Sequence, residues 1–135
     1  MRSHNEIKRQ VVREWLAKAD ADLELAEYLL SEKSFPNGIA FHSQQAVEKY
    51  LKALLCWHQV PFPKTQDLEY LLDLVDTVGA DLAKSLRDVS VLTPYGVELR
   101  YPGDRPDATD EEATEAVTLA CRVRTAIMEH LRNVL

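Results

Sequence analysis

The sequence predicts an all-α protein: a single up-and-down bundle of about five helices, with a long irregular loop before the last helix. Apolar residues recur at helical spacing over most of the chain, the links between most of these patterns are short, and prolines or glycines stand where a pattern stops. Short links favour antiparallel neighbours, as in an up-and-down bundle. Residues 1–135 are predicted to form one domain, because no linker or internal repeat divides them.

The first helix is predicted from about Asn5 to Ser31. Its apolar positions are expected to face the core: Ile7, Val11, Trp15, Ala19, Leu23, Ala26 and Leu30. Asp22 points into this arc, whereas other acids such as Asp20 and Glu24 are expected to be solvated on the opposite side. Asp22 therefore needs a partner, because an unpaired carboxylate in a core costs several kcal/mol.

The stretch from Phe35 to Val60 is predicted to be one long helix that organises the others. Asn37 is a candidate cap at its start, and Pro61 and Pro63 stop it near His58. One broad arc of this helix is apolar. The other side carries a mostly polar row: Phe41, Gln45, Glu48, Lys49 and Lys52. A phenylalanine in such a row indicates a second contact surface, so the first three of these residues are predicted to lie at an interface.

A third helix is predicted behind a Thr65 cap, with Asp67 in its first turn and Gly79 at its end. A fourth helix is expected to run to about Val91. Residues 92–108 then contain three prolines and two glycines, which predict a long irregular loop. Loops of this length in a compact domain are usually functional or disordered, and the aromatic and apolar content here favours function.

The last helix is predicted to open with a capping box formed by Thr109 and Glu112. Arg124 lies near the middle of its apolar stripe and is opposite in charge to Asp22. Two interpretations stay open. Either these two residues or their neighbours meet as buried polar groups inside the bundle, or the Arg124 side chain extends along its stem to water.

Composition and charge limit the function. The net charge of -6 disfavours broad nucleic-acid binding, although a local basic patch is compatible with it. Cys56 and Cys121 lack zinc-type spacing and fit reduced thiols, and no nucleotide-binding or metal-binding motif is present. The charged N-terminus and the absence of a long apolar run predict a cytoplasmic protein without membrane contact. No metal or cofactor is expected.

Four stretches, taken in order, carry a resemblance to a known family. They are WLAKADADLELAEYLL, GIAFHSQQAVEKYLKALL, PKTQDLEYLLDLV and VELRYPG. Followed by a last helix, this order resembles the HEPN domain family from about Trp15 to Leu131. The resemblance implies a bundle of about five helices that pairs as a homodimer. Such proteins are often encoded beside a minimal nucleotidyltransferase, in toxin–antitoxin pairs, and many are metal-independent endoribonucleases.

The resemblance also implies where a ribonuclease site would lie: the family uses an Arg followed four to six residues later by a His. Here Arg100 stands at the equivalent place without such a His. The spacing recurs only at Arg124 and His130, about 120° apart around one helix, which is awkward for joint attack on one phosphodiester. Gln66 also stands where many members have a His. The remaining catalytic candidates are Arg100 with His42, or the pair near the C-terminus.

Three functional hypotheses remain. The first is a homodimeric nucleotide-binding or RNA-binding component paired with a minimal nucleotidyltransferase. Its predicted binding residues are Arg100, Tyr101, Lys49, Lys52 and Arg105. Arginine and lysine suit phosphate, and tyrosine can stack on a base. The simpler alternative is that the two lysines pair with acids on a wet face. The second hypothesis is an endoribonuclease toxin with a composite site of Arg100 and a histidine, and the third is a pure protein-interaction module.

Overall fold

The computed structural model describes residues 2–97 and 106–135. In these residues the chain forms five α-helices and one 3₁₀ helix, and it contains no strand. The elements are α1 (His4–Ser31), α2 (Pro36–Trp57), α3 (Leu68–Asp76), α4 (Ala80–Ser85), the 3₁₀ helix (Arg87–Gly96) and α5 (Asp110–Leu131). The predicted all-α bundle is confirmed. No helix in the described residues is both long and apolar enough to cross a membrane.

The central element is α2, which contacts α1, α3, α5 and the 3₁₀ helix. It buries residues around nearly its whole circumference, including Tyr50, Leu51, Leu54 and Leu55. A helix buried on all sides belongs at the centre of a bundle, with amphipathic helices around it. This position brings its polar side chains into contact with other helices.

The buried face of α1 differs from the prediction in its first half. The residues that face the core are Val12, Leu16, Ala19, Leu23 and Ala26, whereas Ile7 and Val11 are exposed. The helix carries two apolar stripes, and periodicity alone does not show which of them is covered. Asp20 and Asp22 each lie about 80° around the helix from the centre of this core-facing stripe, on opposite sides of it. Asp22 therefore flanks the core.

The helix ends follow local chemistry, with three corrections. The C-cap of α3 is Thr77, and Gly79, which was predicted to end that helix, is the N-cap of α4. The capping box of Thr109 and Glu112 is present as predicted. The cap of α3 is Asp67, whose carboxylate accepts hydrogen bonds from two backbone N–H groups of the first turn. The predicted cap Thr65 lies two residues too early; its hydroxyl accepts a hydrogen bond from the Asp67 N–H.

Asn37 does not cap α2. The helix begins at Pro36, directly after Phe35, which has a left-handed backbone (φ 57°). The Asn37 amide instead joins α2 to the segment before α5: its oxygen accepts from the Ala108 N–H at 2.7 Å, and its nitrogen donates to Asp107 at 2.9 Å. Proline suits the first helical position because its missing N–H would be unpaired there anyway.

The predicted fourth helix divides into two elements. The α-helix ends at Ser85, and a 3₁₀ helix continues to Gly96, so the irregular loop starts later than expected. Val89, Leu92 and Tyr95 are buried at intervals of three residues. This interval matches a 3₁₀ helix, in which residues i and i+3 lie above one another. Packing of these three side chains thus accounts for regular structure in a segment that contains Pro94.

Candidate functional site

A groove of about 660 Å³ runs along the polar side of α2. Its lining comes from α1, α2, the link to α3 and the end of the 3₁₀ helix. The lining residues are Trp15, Phe41, Gln45, Glu48, Lys49, Lys52, Lys64, Thr65, Gln66 and Gly96. The whole polar row predicted from the sequence therefore lies in one concave surface.

The floor of the groove is a buried ion pair. Lys52 Nζ donates to Glu48 Oε2 at 3.0 Å, and the two side chains are only 6% and 12% exposed. The same ammonium lies 5.8 Å from the ring of Trp15 and 5.7 Å from that of Phe62. Lys52 does pair with Glu48, but the expectation that this pair is solvated is wrong. One aromatic ring from α1 and one from the link between α2 and α3 cover it.

A second ionic cluster joins α1 to α2 around Asp22. One of its carboxylate oxygens lies 2.9 Å from His42 Nδ1, and the other accepts from Lys49 Nζ at 2.5 Å. If the imidazole is neutral, Nδ1–H donates to the carboxylate and Nε2 keeps a free lone pair. All three side chains are partly buried. The partners that Asp22 required are therefore on α2, and Arg124 on α5 is not one of them.

Arg124 belongs to a different cluster. Its guanidinium donates to Asp20 at 3.0 Å, and the Tyr50 hydroxyl donates to the same carboxylate at 2.5 Å. The prediction that Arg124 is buried is wrong, since its side chain is 45% exposed, and Asp20 is not merely solvated. Burial, together with the hydrogen bond to Asp20, raises the pKa of Tyr50. The hydrogen bond to Asp20 also raises the pKa of Arg124.

His130 contacts neither Arg124 nor the groove. Its Nε2 lies 2.9 Å from Nε2 of His58 at the end of α2. Burial, then the neighbouring His130 and Lys8, lower the pKa of His58. In the described part of the chain Arg124 pairs with Asp20 and His130 with His58, so the structure does not bring the predicted Arg124–His130 pair together as one site.

Three predicted site residues, Arg100, Tyr101 and Arg105, lie outside the described residues. Within residues 2–97 and 106–135, no three His, Cys, Asp or Glu side chains lie close enough together to hold a metal ion. Both cysteines are half-buried thiols, and burial raises the pKa of each.

The sequence reasoning missed an amide network at one wall of the groove. Gln44 is fully buried, donates to the Gln66 carbonyl at 3.0 Å and accepts from Gln45 at 2.7 Å. Gly96 packs so closely on it that an added Cβ would lie 3.0 Å from both the Gln44 and Gln66 side chains. Trp15 and Lys64 also line the groove, which the sequence did not predict. The available signal was Gln44 itself, a polar residue on the buried side of a helix.

Residues 12–131 match the family model described as the HEPN domain. The chain belongs to the HEPN family. This confirms the resemblance read from the four sequence stretches, and the match covers α1 from Val12 onward and the whole of α2, α3, α4 and α5.

One curated relative of this HEPN protein is "Putative toxin MJ1304" of Methanocaldococcus jannaschii, which is 26% identical over 133 aligned positions, covering 88% of this chain and 87% of the relative. The crystal structure of TT1696 from Thermus thermophilus superimposes with a TM-score of 0.70 at 28% identity, covering 87% of this chain and 96% of that one. ST0689, an archaeal HEPN homologue, gives 0.68 at 23% identity, covering 89% and 97%, which shows a shared fold.

Proposed function

We propose that this HEPN protein is the nucleotide-binding or RNA-binding component of a toxin–antitoxin-type pair, and that it acts as a homodimer with a minimal nucleotidyltransferase as partner. The observation that carries the binding proposal is the groove beside α2, in which aromatic rings and lysines share one concave surface. The family membership and the relative named as a toxin support the class of system.

The groove suits a nucleotide in size and chemistry. Its volume of about 660 Å³ lies within the range of small-molecule sites, about 300–1,000 Å³. Trp15 and Phe41 line it and are each partly exposed. A base stacked on such a ring gains about 1–3 kcal/mol, with little dependence on which base it is.

The charges of the groove single out one lysine. Lys49 and Lys52 are already paired with acids, which offsets their attraction for phosphate. Lys64 is exposed and has no ion pair with any described residue. We therefore propose Lys64 as the main phosphate contact and Lys49, which also lines the groove, as a second contact. Arg100, Tyr101 and Arg105 remain predictions from the sequence.

A binding assay tests this assignment. Calorimetry with ATP and fluorescence anisotropy with a labelled single-stranded RNA should both detect binding to the wild-type protein. Lys64→Ala should weaken ATP binding about tenfold or more, whereas Lys84→Ala, at an exposed and unpaired lysine of α4, should leave it unchanged. If neither ligand binds the wild-type protein, the interaction-module hypothesis replaces this one.

The proposed homodimer uses the Phe41 side of α2. Phe41 and Gln45 are partly exposed in the groove wall and can contact a second protomer directly. Glu48 is buried, so its effect on the interface would be indirect, through its ion pair with Lys52. Phe41→Arg is expected to give a monomer by light scattering at tens of micromolar. Phe35→Arg, at a phenylalanine that is 71% exposed and outside the groove, serves as the matched control. A monomeric wild-type protein contradicts the proposal.

A second candidate, the metal-independent endoribonuclease, is favoured by the contact between Asp22 and His42. RNA carries its own nucleophile, the 2′-hydroxyl, which attacks the phosphorus and displaces the 5′-oxygen. Cleavage therefore needs a base for the proton of the 2′-hydroxyl, a cation at the phosphate, and a proton for the departing 5′-oxygen, which the protonated base can return. His42 Nε2 can be the base, and Arg100 is the cation proposed from the sequence. Cleavage of single-stranded RNA in EDTA that is lost in both His42→Ala and Arg100→Ala, and kept in His4→Ala, establishes this candidate. No cleavage by the wild-type protein excludes it.

A further inference from the structure

The charge of the chain is divided between its two ends. The basic end comprises residues 2–18, 50–64 and 119–135, which hold ten Lys and Arg against three Asp and Glu, a net charge of +7. The acidic end comprises residues 19–32 and 106–118, which hold ten Asp and Glu and no Lys or Arg. The net charge of -6 conceals this separation, because the acidic end and the α3–α4 region outweigh the basic end.

Contacts between the helices bring the three basic stretches together. Arg9 on α1 donates to the Val134 carbonyl at 2.8 Å, which joins the start of α1 to the end of α5. Lys8 Nζ lies 3.9 Å from the ring centroid of Trp57, which joins the start of α1 to the end of α2. The contact between His58 and His130 joins the end of α2 to the end of α5. The basic stretches therefore form one surface.

The cations of this surface are largely free to meet an external anion. Eight Lys and Arg of the described residues have no ion pair with another described residue, and six of them belong to the basic end. These six are Arg2, Lys8, Arg9, Arg13, Lys18 and Lys64. The other two, Lys33 and Lys84, stand apart on the α1–α2 turn and on α4. The six other described cations are paired with carboxylates, and four of them, Lys52, Arg122, Arg124 and Arg132, also belong to the basic end.

We infer that the basic end binds the phosphate backbone of RNA, beside the groove proposed for a nucleotide. Clustered unpaired cations are the electrostatic signature of a polyanion site, and the strongly acidic far end directs the anion to this one. Lys64 belongs to the basic end and also lines the groove, so a strand on this surface can extend into it. The inference deepens the proposed function and rests on it for the choice of RNA as the polyanion.

The test compares two charge-matched double variants by anisotropy with a labelled single-stranded RNA across a series of salt concentrations. Arg2→Gln/Arg13→Gln removes two unpaired cations from the basic end, and Lys33→Gln/Lys84→Gln removes the two that lie elsewhere. The first variant should weaken binding about fivefold to tenfold at 50 mM salt and reduce the slope of log K against log salt by about 1.4, since each phosphate contact of a single strand contributes about 0.7. The second should change binding less than twofold.

Equal weakening in the two variants would overturn the inference, because only net charge would then matter. Binding without salt dependence would also overturn it. Tighter binding to phosphatidylserine vesicles than to RNA, lost in Arg2→Gln/Arg13→Gln, would assign the surface to anionic lipid instead. ATP calorimetry separates this inference from the groove proposal, because Arg2→Gln/Arg13→Gln should leave ATP binding unchanged and Lys64→Ala should not. Thermal unfolding of each variant checks that the fold is retained.

Discussion

Two polar clusters flank the core stripe of α1, and each centres on an aspartate. Asp20 receives hydrogen bonds from Tyr50 and Arg124, and so joins α1, α2 and α5. Asp22 contacts His42 and Lys49, both on α2. We refer to these as the Asp20 cluster and the Asp22 cluster. They differ in chemistry. In the Asp20 cluster the pKa values of Tyr50 and Arg124 are raised, so both groups stay protonated at neutral pH. The Asp22 cluster contains a histidine, the side chain most used as a general base.

This difference predicts a structural role for the Asp20 cluster and a functional role for the Asp22 cluster. The Asp20 cluster ties three helices together and satisfies the hydroxyl of a fully buried tyrosine. The Asp22 cluster lies next to the groove, since Lys49 lines it, and it holds one histidine with a partly exposed ring. Two carboxylates of one helix thus have different surroundings, and we expect their roles to differ accordingly.

The largest expected effect concerns the Glu48–Lys52 pair on the groove floor, next to the Asp22 cluster. Lys52→Met should lower the free energy of unfolding by about 3–5 kcal/mol, because Glu48 stays buried without its partner. Urea denaturation measures this change. The double variant Glu48→Leu/Lys52→Met should recover most of the loss, since apolar replacements of a buried pair are often neutral. An unchanged stability in Lys52→Met would show that water reaches the pair.

The direct comparison of the two aspartates gives the next largest effect. Asp20→Ala should cost about 2–3 kcal/mol, because the buried Tyr50 hydroxyl loses its acceptor. Asp22→Ala should cost about 1 kcal/mol, because its partners can turn to water, but it should impair whichever ligand binding or cleavage the wild-type protein shows.

Urea denaturation and ligand assays on the same two variants test this contrast. Tyr50→Phe in the Asp20→Ala background serves as the control and should restore part of the lost stability, since the unpaired hydroxyl is removed. If Asp22→Ala proves the more destabilising variant and leaves ligand binding intact, the two roles are reversed.

The pH dependence of stability distinguishes the Asp20 cluster from the rest of the bundle. The pKa of Tyr50 is raised in the folded state, so its contribution is present below about pH 10 and is lost as the pH rises above it, by at most about 1.4 kcal/mol per pH unit. Urea denaturation between pH 8 and 11 should show this decline, and Tyr50→Phe should reduce it. An equal decline in the variant would place the responsible group elsewhere.

The smallest effect is expected on the acidic side, at the contact between His58 and His130. The pKa of His58 is lowered in the folded state, so the unfolded chain takes up the proton first and stability falls as the pH drops below about 6.5. The expected loss is below about 1 kcal/mol, because the ring is partly exposed. His58→Gln should flatten the curve between pH 5 and 7, whereas His4→Gln should leave it unchanged.

Much of the architecture could be read from the sequence because it depends on local signals. Pro61 and Pro63 end α2 near His58, and Thr109 with Glu112 starts α5, as the patterns indicate. The four stretches also identified the HEPN family. Each of these features depends on neighbours along the chain, so one sequence is enough to predict them.

The candidate site depended on contacts between distant residues. The sequence placed Phe41, Lys49 and Lys52 in one row, but only the packing of Trp15 and Phe62 over that row buried the Lys52 ion pair. In the same way, the sequence marked Asp22 as needing a partner, and the register of α1 against α2 decided which partner it found.

By itself, the sequence determined the helices, their order and the family, because helical periodicity, caps and proline stops act over a few residues. The tertiary structure decided which apolar stripe of α1 is buried, which acid meets which base, and that the basic stretches of three helices form one surface. Periodicity gives the direction of a side chain around its own helix. It does not give the neighbouring helix, and the energies of ion pairs and of burial depend on that neighbour.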